Sequence, residues 1–446
     1  MFRFARRALA AAPAALAATL LAAAAGAADL YTVTDLGTLG GTRGSGAYSL
    51  NGHGQAVGYS FVPGSTYVHA MVNSYGAVTD LGTLGGTQSL ARSVNSLGHV
   101  VGWAYPPGQA LQHAFLWKDG VMTDLGTFGG QSSDADEIND DDLVVGSAFD
   151  SLGRERAFWW KDGAMHDLGT LGGSQSRAYS VDKWGDIVGR ALTDGDVTYH
   201  PFLGKPGGPL YDLGTLGGFT GDAYAVNDLA HVVGWSQLPG NGTESAGFFF
   251  ADGTMKSIGT LGNGFYSAGF GINDNDVVVG QTTRADGVTV ACLWQNDQLV
   301  DLNSLLVPGS GWVLTSANDI DDQGAIVGEG VHDGHARGFL LTPSSTLGVN
   351  GRPPAEVRFA GARPNPVRDG ALLGFDLPAA AHVTLAIYDV RGRRRCALVG
   401  RDYGAGHVEV AWNARDDAGA PLPPGAYWAR LVVDGRAFSR ALVVLH

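Results

Sequence analysis

The chain alternates apolar and polar residues over short runs and breaks each run with glycine, asparagine or aspartate. Across residues 47–80 the runs are AYSLN, QAVGYS, HAMVN and AVTD. Period-two alternation bounded by turn formers predicts four β-strands joined by tight turns. The pattern then returns. DLGTLGG begins at Asp35, Asp80, Asp124, Asp167 and Asp212, with weaker copies at Ser257 (SIGTLGN) and Asp301 (DLNSLLV). Successive starts lie 45, 44, 43, 45, 45 and 44 residues apart. A V-V-G-like motif ends at Gly58, Gly102, Gly146, Gly189, Gly234, Gly280 and Gly328. An H-A-F-like motif is centred on Ala70, Ala114, Ala157, Pro201, Gly247, Ala291 and Gly338. Four strands in about 44 residues is the size of a β-propeller blade.

Two columns within the repeat sharpen the picture. The turn between the first two strands is built on Asn51, Asn95, Asn139, Asp182, Asn227, Asn273 and Asp321. Three residues later stand Gly54, Gly98, Asp142, Gly185, Ala230, Asp276 and Gly324, of which only Ala230 is ill suited to positive φ. The first strand carries Ala47, Ala91, Ala135, Ala178, Ala223, Gly269 and Ala317, small residues suited to a crowded inner strand. The last repeat stops near Pro343 without a fourth strand, while Tyr31–Asp35 matches the fourth-strand pattern. The expected fold is therefore all-β: a seven-bladed propeller over 28–343, closed by its N-terminal strand.

Composition refines this reading. Glycine fills 68 of 446 positions and hydrophobic residues make up 45%, so a packed core can form. Arg3, Arg6 and Arg7 precede an alanine-rich stretch and the small-residue site Ala25-Gly26-Ala27. Residues 1–27 read as a signal peptide, and the protein is expected to be extracellular or on the outer cell surface. No membrane span is expected once that signal is removed. Cys292 and Cys396 fall in different domains, so no disulfide framework is expected. Residues 28–351 hold 13 Lys+Arg and 34 Asp+Glu, a net −21, which argues against nucleic acid as a partner.

After a linker at 344–355, alternation resumes in a different rhythm with LLGFDL, HVTLAIYDV, HVEVAW, YWARLVV and ALVVL. About seven short strands in some ninety residues predict a small immunoglobulin-like sandwich over 356–446. Residues 352–446 carry 13 arginines, no lysine and 9 acids, a net +4.

The DLGTLGG, IN-x-x-G-x-VVG and HAFLW series resembles HAF-repeat extracellular bacterial proteins over residues 31–342. His113–Trp117 matches the third motif letter for letter. That resemblance implies an exported repeat protein and supplies no catalytic residue. The C-terminal motifs are Asn365–Val367, FDLP at 375–378, YDVRGR at 388–393, WNARDDAG at 412–419 and PPGAYWARL at 423–431. They resemble both the sorting domain of type IX secretion cargo and the immunoglobulin-like domain of the flagellar hook-capping protein. The resemblance implies export, surface attachment or contact with a secretion machinery.

Candidate chemistry is sparse. The DLG aspartates sit in separate repeats and are expected to serve turns. His69, His113 and His200 share one column with Arg156, Ala246, Val290 and Arg337, so no metal site is expected there. The acidic run Asp136–Asp142 lacks the glycine and closing glutamate of a calcium loop. No cofactor motif and no hydrolase signature occurs. The expected role is a binding or structural module for an extracellular glycan or protein. The alternative is a carbohydrate-active enzyme with its site at the propeller axis. Loops between second and third strands vary while TLGG loops do not, which makes Tyr67, Tyr105, Arg154 and Tyr199 the candidate ligand contacts.

Overall fold

The computed structural model describes residues 31–343 except 75, 110, 241 and 243, and residues 357–445 except 364–366, 368–369 and 404–405. The expected signal peptide, the linker and Asn365-Pro366 lie outside the described residues. The chain divides into two compact units, Leu30–Pro343 and a second that takes in Ser344–His446. Among the described residues all regular structure is β apart from two 3-10 turns, at Asp194–Asp196 and Leu302–Leu305. Among the described residues no helix is long and apolar enough to cross a membrane.

In the larger unit the described residues form seven four-stranded antiparallel sheets in a propeller-like array. Six of them run in chain order from an inner to an outer strand. Their inner strands are Ser45–Leu50, Ser89–Val94, Gly129–Ile138, Gly172–Val181, Gly221–Val226 and Ser267–Ile272. The seventh begins at Trp312–Ile320, continues through Ile326–His332 and His335–Pro343, and ends on Tyr31–Asp35. That outermost strand pairs from Tyr31 opposite Pro343 to Asp35 opposite Phe339. Each inner strand packs against the next, and Trp312–Ile320 packs against Ser45–Leu50. The array closes.

A repeated bulge explains the V-V-G glycine. In every sheet the register between first and second strands slips by one residue just after the small-residue column, for example between Ala47 and Ser49. The same slip follows Ala91, Ala135, Ala178, Ala223, Gly269 and Ala317. At each of Gly58, Gly102, Gly146, Gly189, Gly234, Gly280 and Gly328, a Cβ would overlap a carbonyl oxygen of the bulged strand. Only glycine fits there. Opposite these glycines stand Met71, Phe115, Phe158, Phe202, Phe248, Cys292 and Phe339, all buried. They fill the space between sheets, so Cys292 is a core residue like its counterparts.

Serine stitches the sheets together. Ser89 Oγ accepts from Ala70 N at 2.8 Å and donates to Gly82 O. Ser133, Ser176 and Ser267 repeat both bonds at three further junctions, the repeat between the last two holding Gly221 instead. Ser45 accepts from Gly338 N, across the junction between the seventh and first sheets.

The Asn/Asp turn column has two duties. Asn139 Oδ1 accepts from Asp141 N and Leu143 N, which closes its own turn. Its Nδ2 donates to Asp182 O of the next sheet at 2.9 Å. Asn51, Asn95, Asn227 and Asn273 also donate to the next turn's carbonyl. Asp182 has no such donor; its Oδ2 is buried without a partner, and burial pushes the carboxyl up to about 6. Asp182→Asn is therefore expected to supply the missing donor and stabilise the fold by about 1 kcal/mol, raising the melting temperature by roughly 2–4 °C. An unchanged or lower melting temperature at pH 7.5 would contradict this role.

Ala230 adopts φ +59°, the left-handed conformation its column requires. Ala230→Gly should stabilise by about 0.5–1 kcal/mol, since alanine strain there exceeds the glycine entropy cost. Chemical denaturation checks it, and a lower midpoint would refute it.

The C-terminal unit pairs two sheets around one core. One holds Arg358–Arg363, Ala371–Leu377 and Gly406–Trp412; the other holds Arg394–Tyr403, Ala381–Asp389, Gly425–Val433 and Arg436–Val444. Phe359, Leu373, Phe375, Leu385, Ile387, Trp412, Leu431 and Leu442 belong to the buried cluster they share. The C-terminal motifs have local reasons. Asp389 of YDVRGR accepts from Arg391 N and Arg393 N and pairs with the Arg393 guanidinium. Tyr427 of PPGAYWARL donates its hydroxyl proton to Pro423 O at 2.8 Å, tying the strand start to the preceding loop. Trp412 donates Nε1–H to Arg415 O, which shapes the WNARDD corner.

Candidate axial binding site

The seven inner bulges each leave one residue without a cross-strand partner: Tyr48, Arg92, Asp136, Tyr179, Tyr224, Phe270 and Asn318. Bulges re-aim side chains, and here they aim them at one another across sheets. The Arg92 guanidinium lies over the Tyr48 ring at 5.1 Å. Arg177 forks onto Asp136 at 2.9 and 3.1 Å. Tyr179 meets Tyr224 edge-on at 5.1 Å, and Tyr224 meets Phe270 at 5.6 Å. Asn318 donates Nδ2–H to Ala47 O. Residues some 44 positions apart thus form a belt around the inner strands.

A second tier extends it. Arg177 also reaches Asp134 and Glu155, and Arg190 bridges Glu155 and Asp222 at 3.6 Å each. Arg190 lies over Tyr199 at 4.8 Å, and Tyr48 lies 5.9 Å from Tyr59. A hydrogen bond from the Tyr59 hydroxyl, and then the charge of Arg92, offset part of the desolvation of Glu329, while its Oε1 stays without a partner. Among the described residues, five buried side-chain polar atoms lack a partner, and four belong here: Arg92 Nε, Asp134 Oδ1, Arg190 Nε and Glu329 Oε1.

Burial sets the protonation of this region. It pushes Asp134 up to about 6 against the pull of Arg177, and raises Asp222 and Glu329 as well. Glu137 rises to about 8 and Asp319 to about 6, each although it accepts an inner-strand N–H, from Val181 and Leu50 respectively. Tyr48, Tyr59, Tyr179 and Tyr224 are likewise held neutral by burial.

These carboxyls bind protons more tightly folded than unfolded. The folded chain therefore takes up protons between about pH 4 and pH 8, and stability falls as pH rises through that window. The expected result is a protein more stable at pH 5 than at pH 8 by on the order of 2–4 kcal/mol. Denaturant titrations at pH 5, 6.5 and 8 check the sign. Equal or greater stability at pH 8 would contradict it.

No protein-family model and no curated protein matches this sequence. Solved structures give distant likenesses. PorZ, a surface component of the type IX secretion system of Porphyromonas gingivalis, aligns over 90% of this chain and 70% of its own, with 12% identity and TM-score 0.32. TolB from Acinetobacter baumannii aligns over 55% and 61%, with 10% identity and TM-score 0.40. Trypanosoma rangeli sialidase aligns over 92% and 83%, with 9% identity and TM-score 0.32. Scores and identities of this size carry no activity or ligand to this chain.

The four sequence-derived candidates lie at or beside the second-to-third connections of four different sheets. Tyr199 reaches the belt, beneath Arg190, and its hydroxyl contacts Gln175. Tyr105 lies 5.8 Å from Trp103 at the end of an inner hairpin. Tyr67 is exposed in its own loop, and Arg154 is tied to Asp150 at 2.7 Å. The TLGG loops do pack beside these connections: Gly85 abuts Pro107, and Gly217 abuts Pro239. The bulge residues escaped sequence reasoning because a one-residue slip leaves no mark in period-two alternation. Their variety directly after a near-constant alanine column was the available signal.

The His and DLG columns also proved to be partners. His69, His113 and His200 hydrogen-bond through Nδ1 to Asp80, Asp124 and Asp212, each at 2.8 Å. Arg156 pairs with Asp167, and Arg337 lies 3.5 Å from Asp35. Where the column holds Val290, Arg284 pairs with Asp301 from a neighbouring loop. Each DLG aspartate also accepts from the backbone N–H two residues on, as Asp80 does from Gly82. The acidic run is shared out similarly: Asp136 to Arg177, Asp140 to Ser96 N, and Asp142 to His99 and Lys118.

Proposed function

We propose that this chain is an exported binding protein of the cell surface. In this reading residues 28–343 are a seven-bladed β-propeller that holds a ligand at its axial belt. Residues 356–446 are an immunoglobulin-like module for export or attachment. One observation carries the binding role. The column before the bulge is alanine in six repeats of seven, and the second-strand column opposite that alanine is glycine in all seven, whereas the bulge column reads Tyr, Arg, Asp, Tyr, Tyr, Phe, Asn. A scaffold held fixed around one varied ring is the arrangement of a recognition site.

A second reading, an extracellular carbohydrate-active enzyme, draws on the Asp134 carboxyl. Pushed up to about 6, it keeps a proton into the range where a general acid works. A hydrolase screen of intact protein against Asp134→Asn separates the two, since only an enzyme would show turnover that the substitution abolishes.

The export role has its own test, in a host with type IX secretion machinery. Removing residues 352–446 should leave the remaining chain folded and confined to the periplasm, while the intact protein reaches the surface. Equal surface display of both would overturn the sorting role.

A further inference from the structure

We infer that the axial belt recognises a neutral saccharide, through a subsite made of Tyr48, Tyr59, Arg92, Asp134 and Glu329. This rests on the binding role proposed above and names its ligand class. Arg92 lies over Tyr48, and its charge acts on the carboxyls of both Glu329 and Asp134. The unpartnered buried atoms here are of both kinds, with Arg92 Nε a donor and Asp134 Oδ1 and Glu329 Oε1 acceptors. A hydroxyl both donates and accepts, so a group bearing several hydroxyls answers both kinds at once. Tyr48 and Tyr59, 5.9 Å apart, add aromatic ring surface beside these atoms, against which the C–H surface of a sugar ring packs.

Charge decides against the competing ligands. The belt sets Asp134, Asp136, Glu155, Asp222 and Glu329 against Arg92, Arg177 and Arg190, in a unit of net −21. An anionic glycan or a phosphate would meet more carboxylate than guanidinium. Arg177 already engages Asp134, Asp136 and Glu155, so these do not form an open cation cage. An aliphatic ligand would leave the charged groups desolvated and unanswered.

The test uses the mature full-length protein on an array of neutral glucans, galactans, mannans and xylans beside uronate and sulfated glycans, with titration calorimetry on each glycan captured. Two variants accompany it: Arg92→Met, and Arg92→Lys, which keeps the positive charge in place but removes the Nε donor. The expected result is capture of a neutral glycan, weakened tenfold or more by both variants while their melting temperatures stay near that of the parent. Arg92→Lys keeps the test decisive if Arg92→Met fails to fold. Capture confined to anionic glycans would overturn the inference. So would neutral capture that neither variant weakens, which would place the ligand elsewhere. Absence of capture by folded protein would overturn it too, while the export experiment would still judge the wider reading on its own terms.

Discussion

Deleting residues 28–37 should lower the melting temperature by more than 10 °C or drive the protein into aggregates. The lost strand supplies the outer edge of the seventh sheet, paired from Tyr31 to Asp35. Tyr31 and Leu36 are both buried. Leu36 also bridges two sheets, donating its N–H to Gly338 O and accepting from Asn73 Nδ2. Burial of the two side chains is worth about 2 kcal/mol each, and the strand His335–Pro343 would be left as an exposed edge open to self-association. Differential scanning fluorimetry with size-exclusion chromatography reads both consequences. A truncated chain that stays monomeric and melts within a few degrees of the intact one would show that the ring does not depend on this strand.

Gly189→Ala should be nearly as damaging. Its new Cβ would overlap the Arg177 carbonyl oxygen and come within 2.8 Å of the Ala178 Cα. The atoms met are all backbone, so no side-chain rotation relieves the clash. Either the bulge at Ala178 flattens or the two strands separate, at a cost of about 3 kcal/mol or more. Flattening would also turn Tyr179 away from Tyr224, so the substitution should disturb the belt along with stability. Gly400 provides the control, because a Cβ there meets nothing within 4 Å. Gly400→Ala is expected to leave the unfolding free energy within about 0.5 kcal/mol of the parent's. Equal effects of the two substitutions would refute the steric account.

The alternation of AYSLN, QAVGYS, HAMVN and AVTD, repeated every 44 residues or so, was enough to foresee the strands and the turns between them. The all-β architecture follows from that. Turn chemistry was equally legible. Asn51 and its counterparts close their turns through Oδ1, as an Asx residue should, and Ala230 stands at positive φ where its column demands it. The His–DLG pairing was within reach of the sequence as well. Ala246 replaces the base in the repeat where Ser257 replaces the acid, and a His or Arg stands in the base column of five of the six DLG-aspartate repeats, Val290 with Asp301 being the exception.

Other features needed three dimensions. Nothing local in the sequence marks Tyr48 or Asp136 as a bulge, because a bulge is a relation between two strands. Arg177 finds Asp136 and Asp134 only because inner strands some 44 residues apart are brought side by side. The same crowding raises Glu137 to about 8 and Asp134 to about 6, values that depend on how much water the surrounding strands exclude. The sequence by itself determined the strands, their turns and the glycine that each inner hairpin requires, since these follow from short-range periodicity and backbone sterics. The tertiary structure alone decided which side chains meet at the axis and which of them keep their protons, since both depend on packing between sheets distant along the chain.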